Sequence, residues 1–243
     1  MPTHHYAAVL FFSLLSRLAF ASPDDSLANS YGEAGTRQFD LKLGSLTQTD
    51  TPRDTAVTLG YGQNISARWF SEGYVTFNHV AGSDSRLDAI ALVNTFLLTE
   101  GQLPFDLSLY TELERPSQRE DGDQFTFGPL IQTEFGLTRA NLNLLFHRSY
   151  RAVASEPMQL SYQWQLRRRI GAAIALGLQG FGDLGEWDHW AERADQSHRI
   201  GPAVFYTASK PGGGRWDANA AVLFGIGGDV RSTTARAQLT YGF

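Results

Sequence analysis

Apolar residues recur at every second position through most of the chain, from FDLKLGSL at Phe39 to the closing TARAQLTYGF. In that last stretch Ala235, Ala237, Leu239, Tyr241 and Phe243 share one parity, and Thr234, Arg236, Gln238, Thr240 and Gly242 share the other. LPFDLSLYTELE sets Phe105, Leu107, Leu109, Thr111 and Leu113 against Asp106, Ser108, Tyr110, Glu112 and Glu114. MQLSYQWQLRRR sets Met158, Leu160, Tyr162, Trp164 and Leu166 against Gln159, Ser161, Gln163, Gln165 and Arg167. A helix would mix these sets around its circumference, whereas a strand sends them to opposite faces. The pattern predicts an all-β chain.

Strands placed on the alternation, with turns at Gly, Pro, Asn and Asp clusters, fall near 36–46, 54–67, 70–80, 85–98, 103–115, 124–135, 138–149, 157–169, 171–182, 197–207, 214–225 and 231–243. Their length of about ten residues suits a tilted transmembrane strand, where soluble strands average about five or six. Longer connections (TQTDTPR, AGSDS, PSQREDGD, YRAVASEP, DLGEWDHWAERADQS) alternate with tight ones such as the GL after Phe135. The prediction is a single closed antiparallel transmembrane β-barrel of about twelve strands spanning 36–243. Ten is the alternative, because ASKPGGG near 208–214 falls on the short side despite its length.

Periodicity alone leaves open which face points out. A soluble sandwich or lipocalin-like barrel also alternates, with its apolar face inward. The polar parity here is rich in Gln, Asn, Ser, Thr and Gly, and lysine occurs only at Lys42 and Lys210. A water-exposed surface carries more lysine than that, so the polar parity is assigned to a lumen.

The N-terminus carries AAVLFFSLLSRLAF, ending on Ala19-Phe20-Ala21, the small-x-small pattern of a signal-peptidase site. The run is too short to span a bilayer, which needs about 20 apolar residues. Residues 1–21 are therefore expected to be a cleaved signal, and 22–35 a short periplasmic lead. No cysteine is present, so neither disulfides nor thiolate metal sites are available. A net charge of -5 and a pI near 5.7 argue against a nucleic-acid partner.

The alternation, the turn rhythm and the terminal Phe243 together resemble the Gram-negative outer-membrane β-barrel class. The resemblance implies location in the cell outer membrane and contact with its lipid and lipopolysaccharide. It also implies recognition by the barrel-assembly machinery through the last strand, here Leu239, Tyr241 and Phe243. YGQNISARW, LSYQWQLRRR and HRIGPAVF further resemble a group of proteobacterial barrel proteins, a likeness that carries class and location rather than chemistry.

Chemistry is sparse. The lumen parity holds Asp40, Lys42, Asp88, Asp106, Glu112, Glu114, Glu134, Arg167, Arg169 and Arg236. Charges in a closed interior must pair or meet water. Cross-linked, they make a plugged scaffold; lining water, they make a narrow channel. His147 and Ser149 have the His-x-Ser spacing of two outer-membrane lipid hydrolases, the lipid A 3-O-deacylase and the outer-membrane phospholipase, in which the His activates the Ser hydroxyl. Their parity is that of Asn141 and Asn143, the lumen side, and the flanking residues differ from those families. Asp188, His189, Glu192 and His198 lie in and beside the longest loop without metal-ligand spacing, and Trp187 and Trp190 suit either packing inside that loop or a lipopolysaccharide boundary. No metal or other cofactor is expected. The sequence thus points to an integral outer-membrane barrel, channel-like or structural, that passes small solutes through a charged lumen. The alternatives are a lipid hydrolase using His147 and Ser149 and a soluble periplasmic barrel that binds an apolar ligand.

Overall fold

The computed structural model describes residues 23–28, 36–154, 156–209, 213–227 and 231–243; the expected signal, 1–21, lies outside them. Twelve strands follow one another: β1 (Arg37–Gln48), β2 (Asp54–Ser66), β3 (Trp69–Val80), β4 (Arg86–Thr99), β5 (Asp106–Pro116), β6 (Asp123–Phe135), β7 (Thr138–Tyr150), β8 (Gln159–Arg169), β9 (Ile174–Glu186), β10 (Ser197–Ser209), β11 (Arg215–Gly225) and β12 (Ser232–Gly242). Each pairs antiparallel with its chain neighbours, and β1 closes on β12. The ASKPGGG segment does separate two strands, so the count is twelve and not ten.

Closure gives every strand two partners and leaves no sheet edge, which a lipid environment requires because it cannot satisfy bare N–H and C=O groups. The seam is sealed at its end by Phe243, whose N–H donates to the Arg37 carbonyl at 2.9 Å while the Arg37 N–H donates to the Phe243 carbonyl at 3.0 Å. The Phe243 ring stacks on Phe39 at 5.5 Å and on Tyr241 at 5.8 Å.

The apolar parity faces outward. Leu59 is 51% exposed while its neighbour Thr58 is 3% exposed, and Leu113 is 56% exposed against Ser108 at 0% on the opposite face of the same strand. This is the reverse of a soluble barrel. Outward aromatics gather at both ends. Phe39, Tyr61, Trp216, Tyr241 and Phe243 cluster at the short-turn end, and Phe125, Phe127, Phe146 and Trp187 at the long-loop end. Two aromatic girdles flanking an aliphatic band are the exterior of a membrane-spanning barrel.

Two Gly-Pro steps shape the wall. Gly128-Pro129 is paired regularly to β5, and Gly201-Pro202 to β9, but the ladder to the following strand skips both steps. A proline has no N–H to give that neighbour. The next strand instead approaches so closely that a Cβ on Gly128 would meet the Leu144 carbonyl at 1.8 Å, and one on Gly201 would meet the Val222 carbonyl at 1.8 Å.

Two outcomes follow. Leu59→Arg, mid-strand in the outward band, is expected to destabilise the barrel in lipid vesicles by about 2–4 kcal/mol, read from urea unfolding of the refolded protein. Gly201→Val forces a side chain into the β11 backbone and is expected to lower stability by at least about 1–3 kcal/mol, seen as loss of heat-modifiable gel mobility at a lower temperature.

Candidate functional site

Because the apolar parity is spent on the exterior, the lumen is lined mainly by polar side chains, with two buried apolar clusters among them. One joins Val93, Tyr110, Leu130 and Leu145 on β4 to β7. The other joins Ala175, Phe181, Ala203, Phe205, Ala221 and Leu223 on β9 to β11. Charge is divided between the two halves of the wall. Inward positions of β1 to β6 carry chiefly carboxylates, among them Asp40, Glu72, Asp88, Asp106, Glu112, Glu114 and Glu134, with Lys42 between them. Inward positions of β7 to β12 carry chiefly guanidinium groups: Arg139, Arg167, Arg169, Arg199, Arg215 and Arg236. Such a division sets a field across the bore.

The acidic half is tied into short hydrogen-bonded units. Asp40 accepts from Gln238 Nε2 at 3.0 and 3.1 Å and from Thr240 Oγ1 at 2.6 Å. Lys42 lies 3.9 Å from the Asp40 carboxylate, with its ammonium over the Tyr74 ring at 3.8 Å. The Tyr74 hydroxyl donates to Glu72 at 2.5 Å and the Tyr110 hydroxyl to Glu112 at 2.8 Å. Each inward tyrosine thus solvates the carboxylate two residues along its own strand.

The lead expected on the periplasmic side has its described part, residues 23–28, inside the barrel, which corrects that placement. The physical reason is complementarity: the stretch brings carboxylates and backbone groups to a lumen whose Arg199 and Arg236 have hydroxyl and amide partners on the wall and meet a carboxylate on Asp25. Asp25 Oδ2 accepts from Arg199 NH2 at 2.8 Å, and the Asp25 carbonyl accepts from Arg236. Asp24 accepts from Thr58 on β2. The Ala28 N–H donates to Gln163 Oε1 at 3.1 Å, and its carbonyl accepts from Asn143 Nδ2 at 3.1 Å. Ala28 also covers the Val93, Tyr110, Leu130, Leu145 cluster. In six residues the segment touches the β1–β2 wall, the β10–β12 wall and the β7–β8 wall, and so crosses the bore.

The wall is fitted to receive it. A Cβ on Gly44 would meet the Pro23 carbonyl carbon and oxygen at 2.1 Å and the Asp24 nitrogen at 2.4 Å. Gly44 faces Ala56 across the β1–β2 ladder, and Ala56 is buried. Gly44 also pairs with Arg236 across the β1–β12 seam, and Arg199 and Arg236 flank the Asp25 seat, 5.9 and 5.2 Å from the Phe181 ring centroid. Arg199 also donates to Thr234 at 3.3 Å and Arg236 to Asn219 Oδ1 at 2.8 Å. Asp25 gives its carboxylate to Arg199 and its backbone carbonyl to Arg236.

At the short-turn end a cavity of about 200 Å³ opens among Arg139, Arg167, Arg169 and Arg215, with Glu134 and Phe205 in its wall. Glu134 pairs with Arg139, and Arg215 Nε lies 2.6 Å from Asp217.

The remaining sequence candidates do not assemble. His147 and Ser149 lie on the inward face of β7 opposite Thr126 and Gln124, and no hydrogen bond joins them among the described residues. They face away from the lipid that a hydrolase of that kind would attack. His198 is on the outer face of β10, its Nδ1 on the Tyr162 hydroxyl at 2.9 Å and its Nε2 on Gln196 at 2.9 Å. Among the described residues no group of three His, Cys, Asp or Glu side chains gathers. Sequence reasoning passed over Asp25, Gly44 and Arg199. The signal for Arg199 was its parity with Phe205, and that for Gly44 was a missing side chain on a polar face of larger residues.

No family model matches the chain, and no curated protein matches it. Solved structures match its architecture. An outer-membrane channel from Pseudomonas putida F1 superposes with a TM-score of 0.65 at 10% identity, covering 90% of this chain and 99% of that one. The NanC porin gives 0.60 at 6% identity, over 83% and 98%. The KdgM porin in complex with disordered oligogalacturonate gives 0.50 at 8% identity, over 82% and 97%. At these identities the likeness establishes the fold: a closed twelve-strand barrel of the kind found in outer-membrane channels.

Proposed function

We propose that the chain is an outer-membrane channel for small solutes whose bore is held closed by its own residues 23–28. The observation that carries this reading is the way the middle of the bore is filled. A separate stretch of chain occupies it, held by hydrogen bonds and one ion pair, rather than a continuous packed core of wall side chains. Breaking a buried ion pair costs about 3–5 kcal/mol when the partners stay dry. In a polar bore water follows the departing segment, and the cost falls toward the value of about 0–1 kcal/mol for exposed pairs. Asp25 is already 31% exposed. The segment is therefore a displaceable closure, and the charge-divided wall behind it is a polar path.

On this reading the signal is cleaved after Ala21, one residue short of the stretch that starts at Pro23 beside Gly44, and the short-turn end is periplasmic. The outward row of Leu239, Tyr241 and Phe243 serves assembly, and the exposed Trp187 and Trp190 meet lipopolysaccharide at the other end. The channel architecture of the porins named above supports passage as the working role.

Gly44→Leu places a side chain where Pro23 and Asp24 now lie and leaves the β1 ladder unchanged. In planar bilayers the variant is expected to give a several-fold higher mean current than the wild type, and deletion of residues 23–28 the same. Asp25→Asn, which removes the charge at the arginine clamp, is expected to raise the open-to-closed ratio by about tenfold, the weight of one charge-assisted hydrogen bond. A Gly44→Leu barrel that migrates as folded and passes no more current than the wild type overturns the proposal.

A further inference from the structure

Four arginines line the short-turn cavity, but only two are neutralised there. Arg139 is held by Glu134 and Arg215 by Asp217. Among the described residues neither Arg167 nor Arg169 has a carboxylate within ion-pair distance. The Arg167 guanidinium stands 5.7 Å from the centroid of the Phe205 ring, and Phe205 and Ala175 give the same cavity an apolar flank continuous with the β9–β11 cluster. Two uncommitted guanidinium groups beside an aromatic ring suit a ligand with an anionic, planar head and a short apolar body.

A second observation, from a different level of the bore, identifies the head group. The same basic half of the wall already holds one carboxylate, that of Asp25, on the Arg199 guanidinium beside the Phe181 ring, while Arg236 on the same ring takes the Asp25 backbone carbonyl, and Ala203, Ala221 and Leu223 complete the apolar cluster. The chain's own lead thus shows which chemistry this wall takes at mid-bore. The mouth sets Arg167 and Arg169 beside Phe205 in the same way, and among the described residues no carboxylate is paired with either.

We propose that Arg167, Arg169 and Phe205 form a binding site for small amphipathic organic carboxylates, the carboxylate on the two guanidinium groups and the carbon chain along Phe205 and Ala175. The site deepens the channel reading and rests on it for its role as a stopping point on a transport path, though not for binding itself.

The test uses the full mature barrel in lipid nanodiscs and saturation-transfer NMR with three probes: hexanoate, its neutral isostere hexanamide, and acetate. Hexanoate is expected to bind, with hexanamide and acetate at least about tenfold weaker, since one lacks the charge and the other the chain. The paired change Arg167→Gln with Arg169→Gln is expected to weaken hexanoate by about tenfold or more, and the paired change to Lys to keep most of the binding. Equal binding of hexanoate and hexanamide to the wild type overturns the site without reference to any variant, as does hexanoate binding that the Gln pair leaves unchanged. The current measurement on Gly44→Leu separates the two readings. A silent barrel that still binds hexanoate refutes the channel and leaves the site. A conducting barrel without charge-dependent binding refutes the site and leaves the channel.

Discussion

Turning the apolar parity outward decides almost everything else about this molecule. A soluble domain uses those side chains to fill its centre; here Leu59, Leu113 and their neighbours stand on the surface. The centre must be organised with what is left. Polar groups withdrawn from bulk water need partners, so the interior is arranged as small hydrogen-bonded units, such as Tyr74 with Glu72 and Asp40 with Gln238 and Thr240. Local pairing along one strand or between adjacent strands suffices on the acidic half.

The basic half is different. Arg199 and Arg236 sit on β10 and β12, strands that are not neighbours in the sheet, and among the described residues the wall between and beside them gives hydroxyl and amide partners but no ion-paired carboxylate to either. Their counter-ion arrives from outside the wall, on residue 25. The lead is therefore part of the electrostatic balance of the barrel as much as an obstruction in it. A single segment is able to do this because Asp25 reaches Arg199 while Pro23 and Asp24 lie against Gly44, which pairs with Arg236 across the β1–β12 seam and with buried Ala56 on β2.

What could be read from the sequence follows the range of the interactions that set it. Strand positions depend on neighbours two residues apart and on local turn chemistry, and β6 was expected at 124–135 and runs Asp123–Phe135, β10 at 197–207 against Ser197–Ser209. The strand at β9 starts later than expected, at Ile174 rather than 171, because Ile170 and Gly171 turn back onto the Ile174 carbonyl. The direction of the apolar face is a property of closure, to which period two is blind, and composition carried that inference. The lead was beyond reach. Asp25 and Arg199 are 174 residues apart, and Ala28 and Gln163 are 135 apart; nothing in SPDDSLANSYGEAG, a polar stretch with no alternation, marks it as an interior segment.

The inward course of residues 23–28 also has a bearing on biogenesis and on engineering. The seam between β1 and β12 is the last contact a chain-ordered barrel can make, and the lead lies inside that seam when it shuts. It must be drawn in before closure or pass through a mouth afterwards. Pro23 itself lies inside the bore against Gly44, so an affinity tag or fluorescent fusion joined to it is not a bystander. It either adds to what fills the interior or draws residues 23–28 away from their partners, whereas an insertion at the loop 187–196 leaves the interior as it is.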